Sequence, residues 1–387
     1  MKKKILVVIY NRANYARIKT VLEAIKNHKK LSLHLVLASS SVMYRFGNLD
    51  AIIKKDGFFI NDKIYSMVEG GDLSTMAKST GLAIIDLSNL FSRIKPDIVL
   101  TIADRFETLA TATTASYMNI TLAHTQGGEI TGSIDESVRH AITKMANIHF
   151  PSTIKAKKNI IKMGEEKKNV ILSGCPSIDL AKKILNEKKK KNINLIIKKY
   201  EGVGENKILY DNFLVVLQHP VTTEFEKTTK QIDETIKAIH KLKMNTVWLW
   251  PNIDAGNDLI SKQIRIYREK YKPKNIRFFK NFDPEDFIRI LIKAKCIIGN
   301  SSVGIRECSY IGTPSVNIGL RQNKREHGSN VINVNYDSEE IIKATIRQIR
   351  HGRYSIEKIF GNGYAGIEIA KYLSNYKIIN TQKTLTY

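Results

Sequence analysis

A chain of 387 residues, 43% hydrophobic and 26% charged, has length for two to three domains of about 150 residues each and is too apolar for wholesale disorder. No apolar run approaches the ~20 residues of a membrane span. The short run after the first lysines meets Asn11-Arg12 with no cleavage site, so a soluble, cytoplasmic protein is expected. The net charge of +25 admits nucleic acid, an anionic membrane or an anionic small ligand as partner. Cys175, Cys296 and Cys308 form no CxxC, which suggests neither disulfides nor structural zinc.

In chain order, strand-like apolar runs fall at 5–10, 32–38, 98–103, 120–124, 148–151 and 170–174. Helical periodicity fits 15–27, 82–94, 106–117, 135–146 and 154–163. Unbroken apolar strands separated by helices imply a parallel sheet covered on both faces. The stretch from Lys182 to Lys199 holds eight lysines and almost no aromatics. It reads as a solvated linker rather than a nucleic-acid arm. The pattern then restarts, with strands at 213–218, 246–250, 276–279, 296–299, 315–318 and 331–334. Helices are expected near 224–242, 258–271, 284–294, 304–311 and 339–350. The architecture is α/β, two doubly wound domains at 1–185 and 186–364. A last helix at about 365–380 is able to pack on either one. Ligands of such sheets bind at the carboxyl ends of the strands, so the loops of both halves should face one central cleft.

The strand ends carry the chemistry. Arg12 follows the first strand at a helix start, where phosphate oxygens are welcome or the side chain is merely solvated. Asp104-Arg105 offers a carboxylate beside a guanidinium, and Asp104 reads equally as a helix N-cap. From His124 to His140 the chain crowds three acids, two histidines and three glycines into one loop. Gly127, Gly128 and Gly132 would let the backbone approach a ligand closely. Ser133 with Glu136 reads as a capping box, and the helix dipole favours an ionised Asp135 as a general base. Arg139 and His140 lie one turn further on. In the second half His219 and Asn252 sit at strand ends, His219 as either a structural residue or a ligand contact. The run Gly299-Asn300-Ser301-Ser302-Val303-Gly304 leads from a strand into a helix start, a pyrophosphate cradle without a Walker lysine. Glu307, one turn later, is placed to accept two ribose hydroxyls, and Arg321 ends the next strand.

Taken together, the segments NRANY, ADRFE, HTQGGEITGSIDESVRHAITK, GCPS, HPVTTE, PNIDAGND, GNSSVGIRE and GTPSVNIGLRQ resemble the UDP-N-acetylglucosamine 2-epimerase family, most closely its hydrolysing, sialic- and nonulosonic-acid branch. The resemblance implies two Rossmann-like domains in the glycosyltransferase-B arrangement, a homodimer or homotetramer, and neither metal nor cofactor. It implies elimination of the nucleotide from a UDP-N-acetylhexosamine or related NDP-sugar. Water then adds to the 2-acetamidoglycal, and free N-acetylmannosamine or a related 2-epimer leaves. Arg12, Arg105, His219, Asn252, Phe282, Ser301, Ser302, Glu307 and Arg321 would hold the nucleotide. Asp104 and Asp135 match acid/base carboxylates, and Gly127, Gly128, Arg139 and His140 would form the substrate loop. Gln126 stands where the hydrolysing enzymes usually carry glutamate, leaving Glu129 as the carboxylate to take that role. Asn14 and Ala16 also depart from the family pattern. The alternatives are a non-hydrolysing epimerase, a glycosyltransferase on the same fold, or a nucleotide-sugar binder without turnover. Nucleic acid and membrane are not expected partners.

Overall fold

The computed structural model describes residues 2–43, 48–189, 191–205, 212–378 and 382–386. Its first sheet contains β1 (Lys3–Ile9), β2 (Leu31–Ala38), β3 (Asp62–Ile64), β4 (Ile98–Ile102), β5 (Thr121–Thr125) and β6 (Ile148–Phe150). They lie in the order β3-β2-β1-β4-β5-β6, and every neighbouring pair is parallel. The second sheet holds β7 (Gly202–Gly204), β8 (Phe213–Leu217), β9 (Asn245–Leu249), β10 (Ile276–Phe279), β11 (Cys296–Gly299), β12 (Ser315–Ile318) and β13 (Val331–Val334). Its order is β13-β12-β11-β8-β9-β10-β7, parallel except for the β10–β7 edge.

Side chains alternate across a strand, so a strand apolar at every position must be covered on both sides. β1 sorts its residues accordingly. Ile5, Val7 and Ile9 enter a core with the helices Arg12–Lys26 and Ala365–Asn375, whereas Leu6 and Val8 enter a second core on the opposite face. β8 repeats the pattern, with Phe213, Val215 and Leu217 on one side and Leu214 and Val216 on the other. Each fully buried aliphatic side chain contributes roughly 1.5–3 kcal/mol.

Several local expectations change. Residues 170–174 form no strand. Val170 makes a single parallel bridge to His149, because the chain turns at once into Gly174 with φ +82°. The three-residue strands β3 and β7 were not anticipated, nor was the helix Pro176–Leu185. The lysine-rich stretch is more than a linker. Its Ile184, Ile193, Ile196 and Ile197 all enter the second sheet's core. Lys188, Lys189 and Lys191 remain exposed, and Lys190 lies outside the described residues. The last helix, Ala365–Asn375, packs on the first half, where Asp179 accepts the N–H groups of Ala365 and Gly366 at 2.9 and 2.7 Å. Residues 379 and 380 of the expected last helix lie outside the described residues. No described helix is long and apolar enough to cross a membrane.

Candidate active site

The carboxyl ends of both sheets face one cleft of about 1060 Å³. Its lining from the first half includes Arg12, Arg17, Asp104, Arg105 and Asp135. The second half contributes His219, Asn252, Phe282, Ser301, Ser302, Glu307 and Arg321. Of the seventeen positions singled out by sequence, Gln126, Gly127, Gly128, Glu129, Arg139 and His140 do not line it.

The reason begins at β5. Gln126 takes φ +63° at the strand end and is wholly buried. Its Oε1 accepts from Arg306 Nη1 of the other half, and its Nε2 has no partner. Glu129 is 5% exposed and accepts from Arg306 at 2.7 Å and from Arg325 Nε and Nη2 at 2.9 and 2.7 Å. Burial works to raise its pKa, but Arg306, Arg325 and Arg139 outweigh that and bring it to about 2. Glu129 is therefore a fixed anion between the lobes. The glycines serve internal packing rather than ligand approach. A Cβ at Gly128 would sit 2.3 Å from the Ala156 carbonyl, and one at Gly132 would sit 1.9 Å from Leu320 O across the cleft. Gly132 N–H donates to Arg321 O there at 3.2 Å.

The anticipated caps differ as well. The N-cap of the helix Phe106–Tyr117 is Arg105, not Asp104. Ser133 Oγ has no partner among the described residues, and no capping box forms. Glu136 instead accepts from Thr131 N at 2.7 Å, Arg139 Nη1 at 2.8 Å and His140 Nε2 at 2.9 Å. Behind the Gly299–Gly304 run, the helix expected at 304–311 is a 3₁₀ turn, Ser302–Gly304, followed by the short helix Arg306–Ile311.

Asp104 and Asp135 have unlike surroundings. Arg139 is fully buried and donates Nε to Asp104 Oδ2 at 3.1 Å, with a second, shorter bond from Nη2. Arg17 and Arg325 each stand 4.0 Å away. Burial alone would raise the Asp104 pKa, yet these guanidiniums hold it well below the usual carboxylate range. Asp135 shifts the opposite way. Burial raises its pKa first and the charge of Asp104 adds to this, against Arg321 at 3.6 Å. Two acids pushed apart in this manner divide into a permanent anion and a group able to exchange protons.

Opposite them the second half offers donors and acceptors, among them the Glu307 carboxylate. His219 Nδ1 accepts the Asn252 N–H at 3.1 Å, so the ring proton sits on Nε2. Burial, with Arg321 adding, pushes its pKa down to about 3, and the neutral ring acts as a donor. Asn300 fixes this turn, since its Oδ1 accepts from His219 N at 2.7 Å and its Nδ2 donates to His219 O at 2.8 Å. Arg17 Nη2 donates to Ser302 Oγ at 2.6 Å across the cleft. Among the described residues, Glu307 Oε2 is buried without a partner, which suits a ligand bringing hydroxyl donors. Arg12 Nε is likewise unpartnered among them. Phe282 packs edge-on against Tyr200, with ring centroids 4.8 Å apart.

Sequence reading missed Arg17, Arg306 and Arg325. Arg17 lies five residues after Arg12 on the same helix, about 1.4 turns on and off the same face, so helical spacing offers no signal for it. Arg306 and Arg325 have none, because their partners lie 177 and 196 residues away. Asn14 is buried beneath the first loop, where its Oδ1 accepts the Tyr10 N–H at 3.4 Å, while Ala16 lines the cleft. Among the described residues, no group of three His, Cys, Asp or Glu side chains is placed to hold a metal ion.

Comparison with known proteins returned a family match, described as UDP-N-acetylglucosamine 2-epimerase, over residues 23–374. The GDP/UDP-N,N'-diacetylbacillosamine 2-epimerase (hydrolyzing) of Campylobacter jejuni is 34% identical over 334 residues, 86% of this chain and 84% of that protein. A UDP-N-acetylglucosamine 2-epimerase of Neisseria meningitidis is 28% identical over 383 residues, covering 99% and 96%. The structure of Methanocaldococcus jannaschii UDP-GlcNAc 2-epimerase in complex with UDP-GlcNAc and UDP superposes with a TM-score of 0.78 at 17% identity, covering 96% of this chain and 99% of that one. The two-sheet architecture is thus the glycosyltransferase-B-like fold of those enzymes.

Proposed function

Because the chain belongs to the UDP-N-acetylglucosamine 2-epimerase family, we propose that it is a hydrolysing 2-epimerase of a nucleotide-linked 2-acetamido sugar, with UDP-N-acetylglucosamine as substrate. One observation carries the reading. A proton-exchanging carboxyl, Asp135, stands beside the ionised Asp104 in the same cleft as the orphaned Glu307 acceptor and the neutral His219 donor. The family assignment and the Neisseria relative support the substrate. The Campylobacter relative supports hydrolysis, and also a second substrate, the 2,4-diacetamido-6-deoxy analogue.

The C2 proton of a pyranose is weakly acidic, so departure of the diphosphate leads or accompanies its removal. Arg12, Arg321, the Nε2–H of His219 and the hydroxyls of Ser301 and Ser302 are the donors available to the departing charge, in positions set before the substrate arrives. As the C1–O bond breaks, its electron pair leaves with UDP. Asp135 takes the C2 proton, and the C–H electrons form C1=C2. Water then gives its hydroxyl to C1 and its remaining proton reaches C2 on the opposite face, while Asp135 passes the abstracted proton to solvent. Asp104 stays ionised throughout and keeps Asp135 basic. In this scheme Gln126 and Glu129 join the lobes through Arg306 and move no proton.

Incubation with UDP-N-acetylglucosamine in D₂O should release UDP and free sugar carrying deuterium at C2. A UDP-linked epimer would identify the non-hydrolysing reaction, and intact substrate without deuterium would refute the proposal for that sugar. Glu307→Gln should weaken UDP binding by about tenfold, since a hydrogen bond to a charged group contributes about 1.5–3 kcal/mol. The same substitution should leave 2′,3′-dideoxy-UDP binding unchanged, as calorimetry would report.

A further inference from the structure

Arg105 and Arg321 reach the cleft from opposite lobes, yet neither waits there uncompensated. Arg105 gives Nε to Glu107 at 3.0 Å and Nη1 to Asp254 Oδ1 at 2.8 Å. Arg321 Nη2 lies 3.6 Å from Asp135 and 3.8 Å from the other oxygen of Asp254. Asp254 is 8% exposed, and Asn252 Nδ2 donates to its Oδ2 at 2.6 Å. It does not itself line the cleft, whereas Asn252, Arg105 and Arg321 do. One buried carboxylate therefore touches three side chains assigned above to the nucleotide, one of them from the other lobe. Glu107, Asp135 and Asp254 together outnumber the two guanidiniums they surround.

We propose that Asp254 is a built-in counter-anion. It holds Arg105 and Arg321 in place while the cleft is empty, and its charge opposes the incoming diphosphate, so that the product nucleotide is released rather than retained. The inference rests on the diphosphate-binding reading above. Two fixed cations with no anion would bind UDP more tightly, because a like charge a few ångströms away in a poorly solvated wall is costly to a dianion. Arg105 keeps hydrogens on Nη1 and Nη2 beyond those given to Glu107 and Asp254, so it can serve the ligand without leaving its partners.

Asp254→Asn tests the proposal, since the amide oxygen can still face Arg105 while the new Nδ2 takes the place of Oδ2 and donates to Asn252 once that amide turns, leaving the lost charge as the main change. Calorimetry should find UDP bound about tenfold more tightly than by the wild type, with uridine, which lacks the diphosphate, bound equally by both. UDP should become a correspondingly stronger product inhibitor. UDP bound equally or more weakly by the variant would overturn the proposal, because a purely structural Asp254 would only loosen the site. A wild type that binds no UDP would refute the nucleotide reading itself, and this inference with it. If Asp254→Asn does not fold, Asp254→Ser gives the same comparison with the charge removed and the side chain shortened.

Discussion

Asp135→Asn should lower turnover by about 10²–10⁴-fold while leaving UDP affinity nearly intact, because positioned proton transfer contributes a factor of that size and the amide cannot perform it. The electrostatics add a pH signature. Burial and the neighbouring charge of Asp104 raise the Asp135 pKa, so the base form is lost as pH falls through a value above the ordinary carboxylate range. The acid limb of kcat/KM should therefore lie at higher pH than an unperturbed aspartate would give, and it should vanish in the variant. Stability moves the other way. A carboxyl whose pKa is raised on folding contributes stability below its unfolded pKa and loses it as pH rises through the folded value. At neutral pH the ionised Asp135 is a cost, so the inactive variant should melt no lower than the wild type. A variant that is inactive and also melts lower would assign Asp135 a structural role, and near-normal turnover would remove it from the chemistry.

Glu129→Gln should be the most damaging single change to stability. The Glu129 carboxylate is the shared counterion of Arg306 and Arg325, all three nearly inaccessible. Breaking a buried ion pair by removing one partner typically costs about 3–5 kcal/mol, since the remaining charge stays buried without compensation. Among the described residues, Arg306 then keeps the Gln126 amide oxygen, and Arg325 keeps Gln322 and the more distant Asp104 at 4.0 Å. The melting temperature should fall by several degrees, and UDP affinity should fall with it because the lobes lose their joint. Had Glu129 been a proton carrier, the variant would melt normally and fail only in turnover. Calorimetric melting beside steady-state kinetics separates these outcomes.

Much of this architecture was readable from local pattern. Runs such as Ile5 to Ile9 and Phe213 to Leu217 are apolar at every position, which only a strand covered on both faces accommodates. Strand ends could be placed to within a residue or two, so Arg12, Asp104, His219, Ser301 and Arg321 were correctly expected near one cleft. Shorter elements escaped, since three residues in β3 or β7 show no periodicity. The helix Pro176–Leu185 was hidden among lysines, although a proline at its first position was available as a start signal.

What the sequence determined by itself was the kind of molecule. Two alternations of strand and helix dictate two sheets, and the motifs at their ends dictate which residues meet at the cleft, because both follow from backbone geometry within a few residues. Only tertiary structure decided the work of each charge. Gln126, Glu129 and Asp135 stand within ten residues of one another, yet the first two face a buried arginine of the other lobe and the third faces the cleft. Asp104 and Asp135 are the same residue type and acquire opposite pKa shifts, Asp104 lowered by guanidiniums brought together out of distant segments and Asp135 raised by burial and by the charge of Asp104. Charge interactions decay with distance in space rather than along the chain, so no local pattern could have assigned those roles.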